Sequence, residues 1–251
     1  MTFPMIALLQ AGYYAEPHAA RYDAATMGMF VLIIAIGIVG FIVQARLQSV
    51  FKKYSKVQFP GGLTGAEVAE KMLRDNNIHN VKVTHVGGHL TDHFNPQTMT
   101  VNLSDSVYSS SSVAAAAVAA HECGHAVQHA HAYAPLKMRS SLVPVISFAS
   151  NWMMWVLLIG MFTLNVFPQI MLFGIILFAA TTLFSFITLP VEIDASRRAV
   201  KWLSEAGVTN NRNYGAAVSA LRSAAYTYVV AALGSLATLL YYVMIFLGRR
   251  D

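Results

Sequence analysis

Three long stretches of the chain lack charged side chains, and their lengths set the first expectation about the fold. Residues 140–191 contain no Asp, Glu, Lys or Arg, and neither do residues 24–45 and 223–248. A helix needs about 20 apolar residues to cross a bilayer. The longest stretch therefore has room for two crossings, with a turn near residues 165–168. We predict four transmembrane helices, because a soluble protein seldom buries four apolar runs of this length.

The segment between the first two spans shows the patterns of a small folded domain. Thr64 and Glu67, three positions apart, predict a helix start with a capping box, and apolar residues follow at helical spacing. Apolar and polar residues alternate near residues 81–86 and 99–103, which predicts two strands with a long connection. A further, Ala-rich helix is expected at about Val113–Ala130. The predicted fold class is mainly α, a polytopic membrane protein with a small α+β domain.

Charged residues flank the predicted spans unevenly. The chain carries 17 Lys and Arg against 12 Asp and Glu, a net charge of +5. Most basic residues lie in the two long loops, so the positive-inside rule places these loops in the cytoplasm and both termini outside. Arg249 and Arg250 run against this orientation. We interpret the basic excess as topology and expect no nucleic-acid partner. Cys123 is the single cysteine, which agrees with a reducing compartment for the loops.

These patterns divide the chain into six predicted segments. They are an outside N-terminal segment (1–23), a first transmembrane helix (24–45), a cytoplasmic domain (46–139), a transmembrane hairpin (140–191), a cytoplasmic helical segment (192–222) and a fourth transmembrane helix with the tail (223–251). The first apolar run is too long for a cleavable signal peptide and lacks a basic region before it. We therefore expect a multi-pass protein of the inner or plasma membrane, with the lipid bilayer as a partner.

The Ala-rich helix carries the sequence His121-Glu122-Cys123-Gly124-His125. Two histidines four positions apart share one helix face, so both imidazoles can reach one metal ion. The glutamate beside the first histidine can take a proton from a water molecule that the metal activates, without being a ligand. This is the HExxH arrangement of zinc proteases, which predicts a zincin-like domain with Zn²⁺ as cofactor.

A catalytic zinc ion needs a third protein ligand and an open position. His131 has the spacing of the third ligand in metzincins. In that motif a glycine ends the helix so that the third histidine can face the metal, and this chain has Gln128 instead of the glycine. His129 lies about 12 Å from His121 along the helix axis, too far for one ion to join both. Glu192 follows the uncharged hairpin directly, and a hairpin that crosses and returns brings it back to the same membrane face. We predict Glu192 as the third ligand, with His129 or His131 as alternatives.

The chain resembles the YugP-like bacterial membrane zinc metallopeptidases over nearly its whole length after the first span. The resemblance rests on four stretches, Gly65–Ala69, Gly88–His93, Ala119–His129 and Leu189–Ala199. It implies that His121, His125 and Glu192 bind zinc and that Glu122 is the base. The chain is more distantly similar to the heat-shock membrane endopeptidases and the CAAX prenyl proteases, which also place two membrane helices between HExxH and a glutamate ligand. Those proteins have an acidic residue where this chain has Ser196.

The expected function is a membrane-embedded zinc endopeptidase that acts at the cytoplasmic face on peptide or membrane-protein substrates, in processing or quality control. Four side chains are candidates for stabilising the oxyanion, namely His89, His93, Arg197 and Tyr228. An edge strand near Met99–Leu103 could align an extended substrate by strand addition. No feature of the sequence specifies an oligomeric state.

Two other classes of function remain open from the sequence. A catalytically silent membrane scaffold or adaptor would use zinc only as a brace, and would then need four protein ligands and no base. A metal carrier would need ionisable residues inside the spans, and the predicted spans contain none. The glutamate beside His121 favours the enzyme over the scaffold.

Overall fold

Long helices make up most of the computed structural model, which describes residues 17–58, 61–88, 90–210 and 213–248. In chain order the elements are α1 (Pro17–Tyr54), α2 (Gly65–Asp75), β1 (Lys82–Val86), β2 (His93–Asn95), β3 (Thr100–Ser104), α3 (Asp105–Tyr108), α4 (Val113–Ala130), α5 (Ala134–Phe162), α6 (Pro168–Glu205) and α7 (Tyr214–Gly248). Most of the predicted N-terminal segment, the tail with Arg249 and Arg250, and His89 lie outside the described residues.

Within the described ranges, α1, α5, α6 and α7 are long and apolar enough to cross a membrane. This confirms the prediction of a mainly helical chain with four such helices and a small sheet. Each helix extends beyond its uncharged stretch, and α6 continues through Glu192 to Glu205. The reason is that helical hydrogen bonding does not stop where the apolar residues end, so the uncharged stretch marks only part of the helix.

The chain divides into two compact units, and the first combines the described residues of 1–39, 145–183 and 232–251. Its buried core is small and centres on Leu157, Met171 and Ile175. Gly160 lets α5 and α6 approach closely, because a Cβ there would lie 2.6 Å from the Cα of Met171. Many large apolar side chains are exposed, with Phe162 at 84%. Such a surface suits contact with lipid tails, which are as apolar as the side chains themselves.

The second unit combines residues 40–144 and 184–231, with a larger core. Helix α2 begins with the predicted capping box, in which Thr64 Oγ1 accepts from the backbone of Glu67 and the Glu67 carboxylate accepts from the backbone of Thr64. The apolar face of α2 is buried, and it packs into the same core as the sheet and α4.

The sheet of the second unit has three strands in the order β1-β3-β2. Strand β3 pairs in parallel with β1 and antiparallel with β2. The expectation of an edge strand near Met99–Leu103 is therefore wrong, because β3 is central and both Val101 and Leu103 are fully buried. Strand β2 was not predicted, since three residues are too few to show an alternating pattern. It forms an edge of the sheet.

Helix α4 has the predicted bounds and carries the HExxH residues. Its start is capped by Ser112, whose Oγ accepts from the backbone of Ala115 at 3.2 Å. The helix is slim because it is rich in alanine, and most of its residues are buried. At Gly124 an added Cβ would lie only 2.6 Å from the carbonyl oxygen of Ala195 in α6. Glycine at this position therefore allows the backbones of α4 and α6 to approach closely. This close approach places the HExxH residues next to Glu192.

Candidate metal centre

His121, His125 and Glu192 come together in one cluster of the second unit. Their potential ligand atoms all lie within 4.8 Å of one another. Glu192 Oε2 is 3.2 Å from Nε2 of His121 and 3.6 Å from Nε2 of His125. The carboxylate is 3% exposed, although it belongs to one of the apolar helices. The fold thus joins the three side chains that the sequence predicts as ligands.

The hydrogen bonds of Gln128 determine which nitrogen of His125 carries a proton. The Gln128 amide nitrogen donates to the Val191 carbonyl at 2.8 Å and to Asp194 Oδ2 at 2.9 Å. Its Oε1 therefore faces His125 Nδ1, 3.1 Å away, so Nδ1 must donate. This leaves the lone pair on Nε2, the nitrogen nearest Glu192. A lone pair and a carboxylate oxygen repel each other unless a proton or a cation lies between them.

His121 has a similar arrangement. Its Nδ1 lies 3.1 Å from Ser196 Oγ, while its Nε2 faces Glu192. Histidines that bind metals generally use one ring nitrogen for the ion and hold the other by a hydrogen bond. The serine thus occupies the Nδ1 side of His121.

The electrostatics around His125 also favour a positive charge between the three side chains. Burial lowers the pKa of His125, but its hydrogen bond with Glu192 and the charge of Glu122 raise that pKa and prevail. Two imidazoles and one carboxylate are a donor set that fits Zn²⁺, and the Nδ1 atom of each imidazole has a hydrogen-bond partner, which leaves Nε2 for the ion.

Arg139 holds the other oxygen of Glu192. Its NH1 lies 3.4 Å from Oε1, which leaves Oε2 for the two histidines. From the sequence, Arg139 is only one of several basic residues beside a span, and no local pattern distinguishes it. In the sequence, Gln128 likewise attracts notice only because it stands where the metzincin motif has a glycine. Its position three residues after His125 is the one signal that could have indicated a contact on the same helix face.

Glu122 stands apart from the ligand cluster. Its Oε2 accepts a hydrogen bond from the backbone nitrogen of Phe94 in β2, at 3.1 Å. Although it is largely buried, Glu122 lines a cavity of about 620 Å³ together with His121 and Tyr228. A carboxylate held beside the cluster and open to a cavity is suited to proton transfer.

The remaining candidate ligands do not join the cluster. His129 is exposed and its ring contacts Phe94, with 5.7 Å between the centroids. His131 ends the helix and its Nδ1 bonds back to the carbonyl of Val127 at 2.8 Å. Cys123 is buried against α2, and burial and the charge of Glu122 raise the pKa of its thiol. Among the described residues the cluster therefore holds three donors, as expected for a catalytic rather than a bracing zinc site.

The oxyanion candidates also separate. Tyr228 lines the cavity beside Glu122, whereas Arg197 lines a different cavity. Both ring nitrogens of His93 already have hydrogen-bond partners. Nδ1 lies 2.7 Å from the carbonyl oxygen of Thr91, and Nε2 lies 3.2 Å from the side-chain nitrogen of Asn102. His89, the fourth candidate, is outside the described residues. Tyr228 is thus the candidate that the structure brings to the site.

Comparison with known proteins confirms the family resemblance found in the sequence. A family model described as "Putative neutral zinc metallopeptidase" matches residues 29–247. The chain is 44% identical over 225 residues to a Bacillus subtilis (strain 168) protein described as "Putative membrane protease YugP", which covers 89% of this chain and 98% of that protein. No solved structure matches the chain. Since the family model spans most of the chain, the chain belongs to this family of zinc metallopeptidases.

Proposed function

We propose that the chain is a membrane-embedded, zinc-dependent endopeptidase that hydrolyses peptide bonds at the cytoplasmic face, in processing or quality control of membrane proteins. The observation that carries this proposal is a cluster of two imidazoles and a carboxylate with a separate glutamate on the same cavity. The family and the relative support a protease. The basic loops support the cytoplasmic orientation.

His121, His125 and Glu192 would hold the metal. A bound Zn²⁺ supplies Lewis-acid polarisation of a peptide carbonyl and lowers the pKa of water to near 7. The chain's own side chains keep this donor set in position. Arg139 holds Oε1 of Glu192, and Gln128 and Ser196 orient the imidazoles through their Nδ1 atoms.

Glu122 acts as the general base and then as the general acid. It accepts a proton from the attacking water as the new C–O bond forms, and it passes that proton to the amine nitrogen as the C–N bond breaks. The Phe94 N–H donates to Oε2 of Glu122 and so keeps the carboxylate in place. The other oxygen, Oε1, is left for the proton.

We assign the oxyanion that develops on the substrate carbonyl to the hydroxyl of Tyr228, because Tyr228 lines the same cavity as Glu122. Since this hydrogen bond strengthens in the transition state, Tyr228→Phe should lower kcat with little change in KM. A change in KM alone would assign Tyr228 to substrate binding instead.

The outer edge of β2 is suited to align an extended substrate. The Phe94 N–H points to Glu122 rather than to β3, so a peptide added along this edge would pass the base. The walls of the cavity that Glu122 lines are mostly apolar and include Phe51, Val118 and Leu221. We expect apolar side chains next to the cleaved bond. A substrate peptide methylated at one backbone nitrogen should be cut more slowly, and equal rates would exclude pairing through that nitrogen.

Zinc content and cleavage of an unfolded reporter, measured on purified full-length protein, test the proposal. Glu122→Gln should keep one zinc ion per chain and lose activity by about 10²–10⁴-fold, because it removes the proton acceptor but no ligand. Glu192→Ala should lose both zinc and activity. Glu70→Gln is the matched control, since Glu70 is an exposed carboxylate of α2 whose ion-pair partner Arg74 is 3.8 Å away.

Two of the alternatives have their own outcomes in this experiment. Zinc retained by Glu192→Ala would mean that the third ligand lies elsewhere. Wild-type protein that binds zinc but cuts no member of a broad substrate panel would favour the scaffold.

A further inference from the structure

A second cavity, of about 580 Å³, lies between α6 and α7 in the unit that holds the metal centre. One face of each helix lines it. The residues contributed by α6 run from Ile193 to Glu205 and recur every three or four positions, and those of α7 run from Tyr214 to Ala225. The cavity is therefore an elongated groove that follows both helices, and we call it the α6–α7 groove.

The chemistry of the α6–α7 groove changes along its length. Ile193 and Ala225 line one end, and in sequence this end adjoins the uncharged stretches 140–191 and 223–248. Arg197 lies one helical turn further along α6, about 6 Å from Ile193 along the axis, and Arg222 lies at a similar level of α7. Lys201 follows after one more turn. The order is thus apolar residues, then two guanidinium groups, then an ammonium group.

Neither guanidinium group forms a close ion pair with a described carboxylate, and only a longer-range charge interaction links Arg197 to Asp194. Within the described part of the chain, neither Arg197 nor Arg222 has a carboxylate oxygen within 4.0 Å, in contrast to Arg198, whose Nε lies 2.6 Å from Asp194. Lys201 has a loose pair with Glu205 at 3.8 Å, and both of these side chains are mostly exposed. Three cations and one carboxylate line the groove, so it attracts an anion.

We propose that the α6–α7 groove binds an anionic phospholipid of the surrounding bilayer, with the phosphate between Arg197 and Arg222. Guanidinium groups bind phosphate through charge-assisted hydrogen bonds, and basic pockets between transmembrane helices bind anionic headgroups. The apolar end gives the glycerol and the first methylenes a surface beside Ile193 and Ala225. A free phosphate ion has no apolar part that could contact the apolar end of the groove. The combination of an apolar end and two guanidinium groups therefore fits a lipid better than a free anion.

The groove borders the metal centre without sharing its ligands. Ser196 lines the groove and its Oγ also contacts Nδ1 of His121. Leu221 lines both the groove and the cavity of Glu122. A bound lipid would therefore pack against residues that support the site. The lipid proposal does not depend on the proposed catalytic activity, because binding is measured without a substrate.

Native mass spectrometry of the full-length protein in detergent, titrated with phosphatidylglycerol or phosphatidylcholine, tests the proposal. We expect tighter binding of phosphatidylglycerol. The double variant Arg197→Gln, Arg222→Gln should bind it about 30-fold more weakly, from the usual contribution of two headgroup cations. The double variant Arg197→Lys, Arg222→Lys should bind more tightly than the Gln variant but more weakly than the wild type, because the charges remain and the planar guanidinium groups do not. Thermal melting checks that each variant is folded.

The matched control is the double variant Arg46→Gln, Lys53→Gln, which removes two exposed charges of α1 from the same predicted membrane side. It should bind phosphatidylglycerol like the wild type. Equal weakening in the control would mean that only overall charge matters, and would overturn the groove. Equal affinity for phosphatidylcholine would do the same. Displacement of the lipid by excess inorganic phosphate would show a free-anion site and refute the lipid assignment.

Discussion

The two units bury apolar side chains to different extents, although the second also exposes some, such as Phe41. In the unit of residues 1–39, 145–183 and 232–251, large apolar side chains such as Phe162 and Met27 are exposed, and the buried core is small. In the unit of residues 40–144 and 184–231, small side chains such as Ala117, Ala119 and Ala120 are fully buried. An exposed phenylalanine has no free-energy cost against lipid tails, whereas its exposure to water is unfavourable. Composition alone therefore does not tell which apolar helices are inside the protein, and the surroundings of each helix do.

The two units also differ in whether a buried polar group has hydrogen-bond partners. In the second unit Gln128 is fully buried and both ends of its amide have partners. In the first unit the buried hydroxyl of Thr182 has no hydrogen-bond partner among the described residues. A satisfied polar network orders a site, while an unpaired hydroxyl costs stability. The comparison suggests that precise polar geometry is concentrated around the metal centre, and the following variants test this.

A pair of glycine variants should show the largest effects. In Gly124→Ala the new methyl would lie 2.6 Å from the carbonyl of Ala195, and in Gly160→Ala it would lie 2.6 Å from the Cα of Met171. Both substitutions force backbones apart and should destabilise the protein by about 1–3 kcal/mol or more. Only Gly124→Ala should also weaken zinc binding, because it separates the helices that carry the ligands. Thermal melting and zinc titration measure the two effects, and zinc loss in Gly160→Ala would show that the units are not separable.

Gln128→Ala should have an intermediate effect. It removes the acceptor of His125 Nδ1 and leaves Asp194 and the Val191 carbonyl without the amide, so the imidazole loses its fixed orientation. Loss of such a supporting hydrogen bond usually weakens metal affinity by about 10–100-fold. Competition with a zinc chelator measures this affinity. Gln97→Ala, at an exposed position, is the control, and equal zinc affinity in both variants would refute the orienting role.

Thr182→Val should have the smallest effect. Because its hydroxyl is buried without a described partner, removal should leave the melting temperature unchanged or raise it slightly. Thr188→Val in the second unit is the counterpart, since its hydroxyl donates to the carbonyl of Phe184 at 2.9 Å. It should lose about 0.5–1.5 kcal/mol of stability. A Thr182→Val protein that melts at a clearly lower temperature would contradict the contrast between the units.

Much of the local structure follows from patterns in the chain. The four apolar helices, the capping box of Thr64 and Glu67, and the bounds of α4 are predictable because each depends on residues within a few turns of one another. Strand β2 is not predictable in this way. Its three residues form a strand because β3 pairs with them and α4 lies beside them, and both contacts are distant in sequence.

The sequence by itself determined the family, the membrane helices and the motif of His121, Glu122 and His125, because these depend on composition and on spacing within one helix. It also indicated Glu192, since a hairpin that crosses a membrane and returns would bring the chain back to its starting face. Only the tertiary structure decided what surrounds these residues. Arg139 and Ser196 reach the site through contacts between helices, and Gln128 is held by Val191 and Asp194 of another helix. The backbone of Phe94 reaches Glu122 from a strand. Such contacts depend on how helices and strands pack, and no spacing along the chain encodes them.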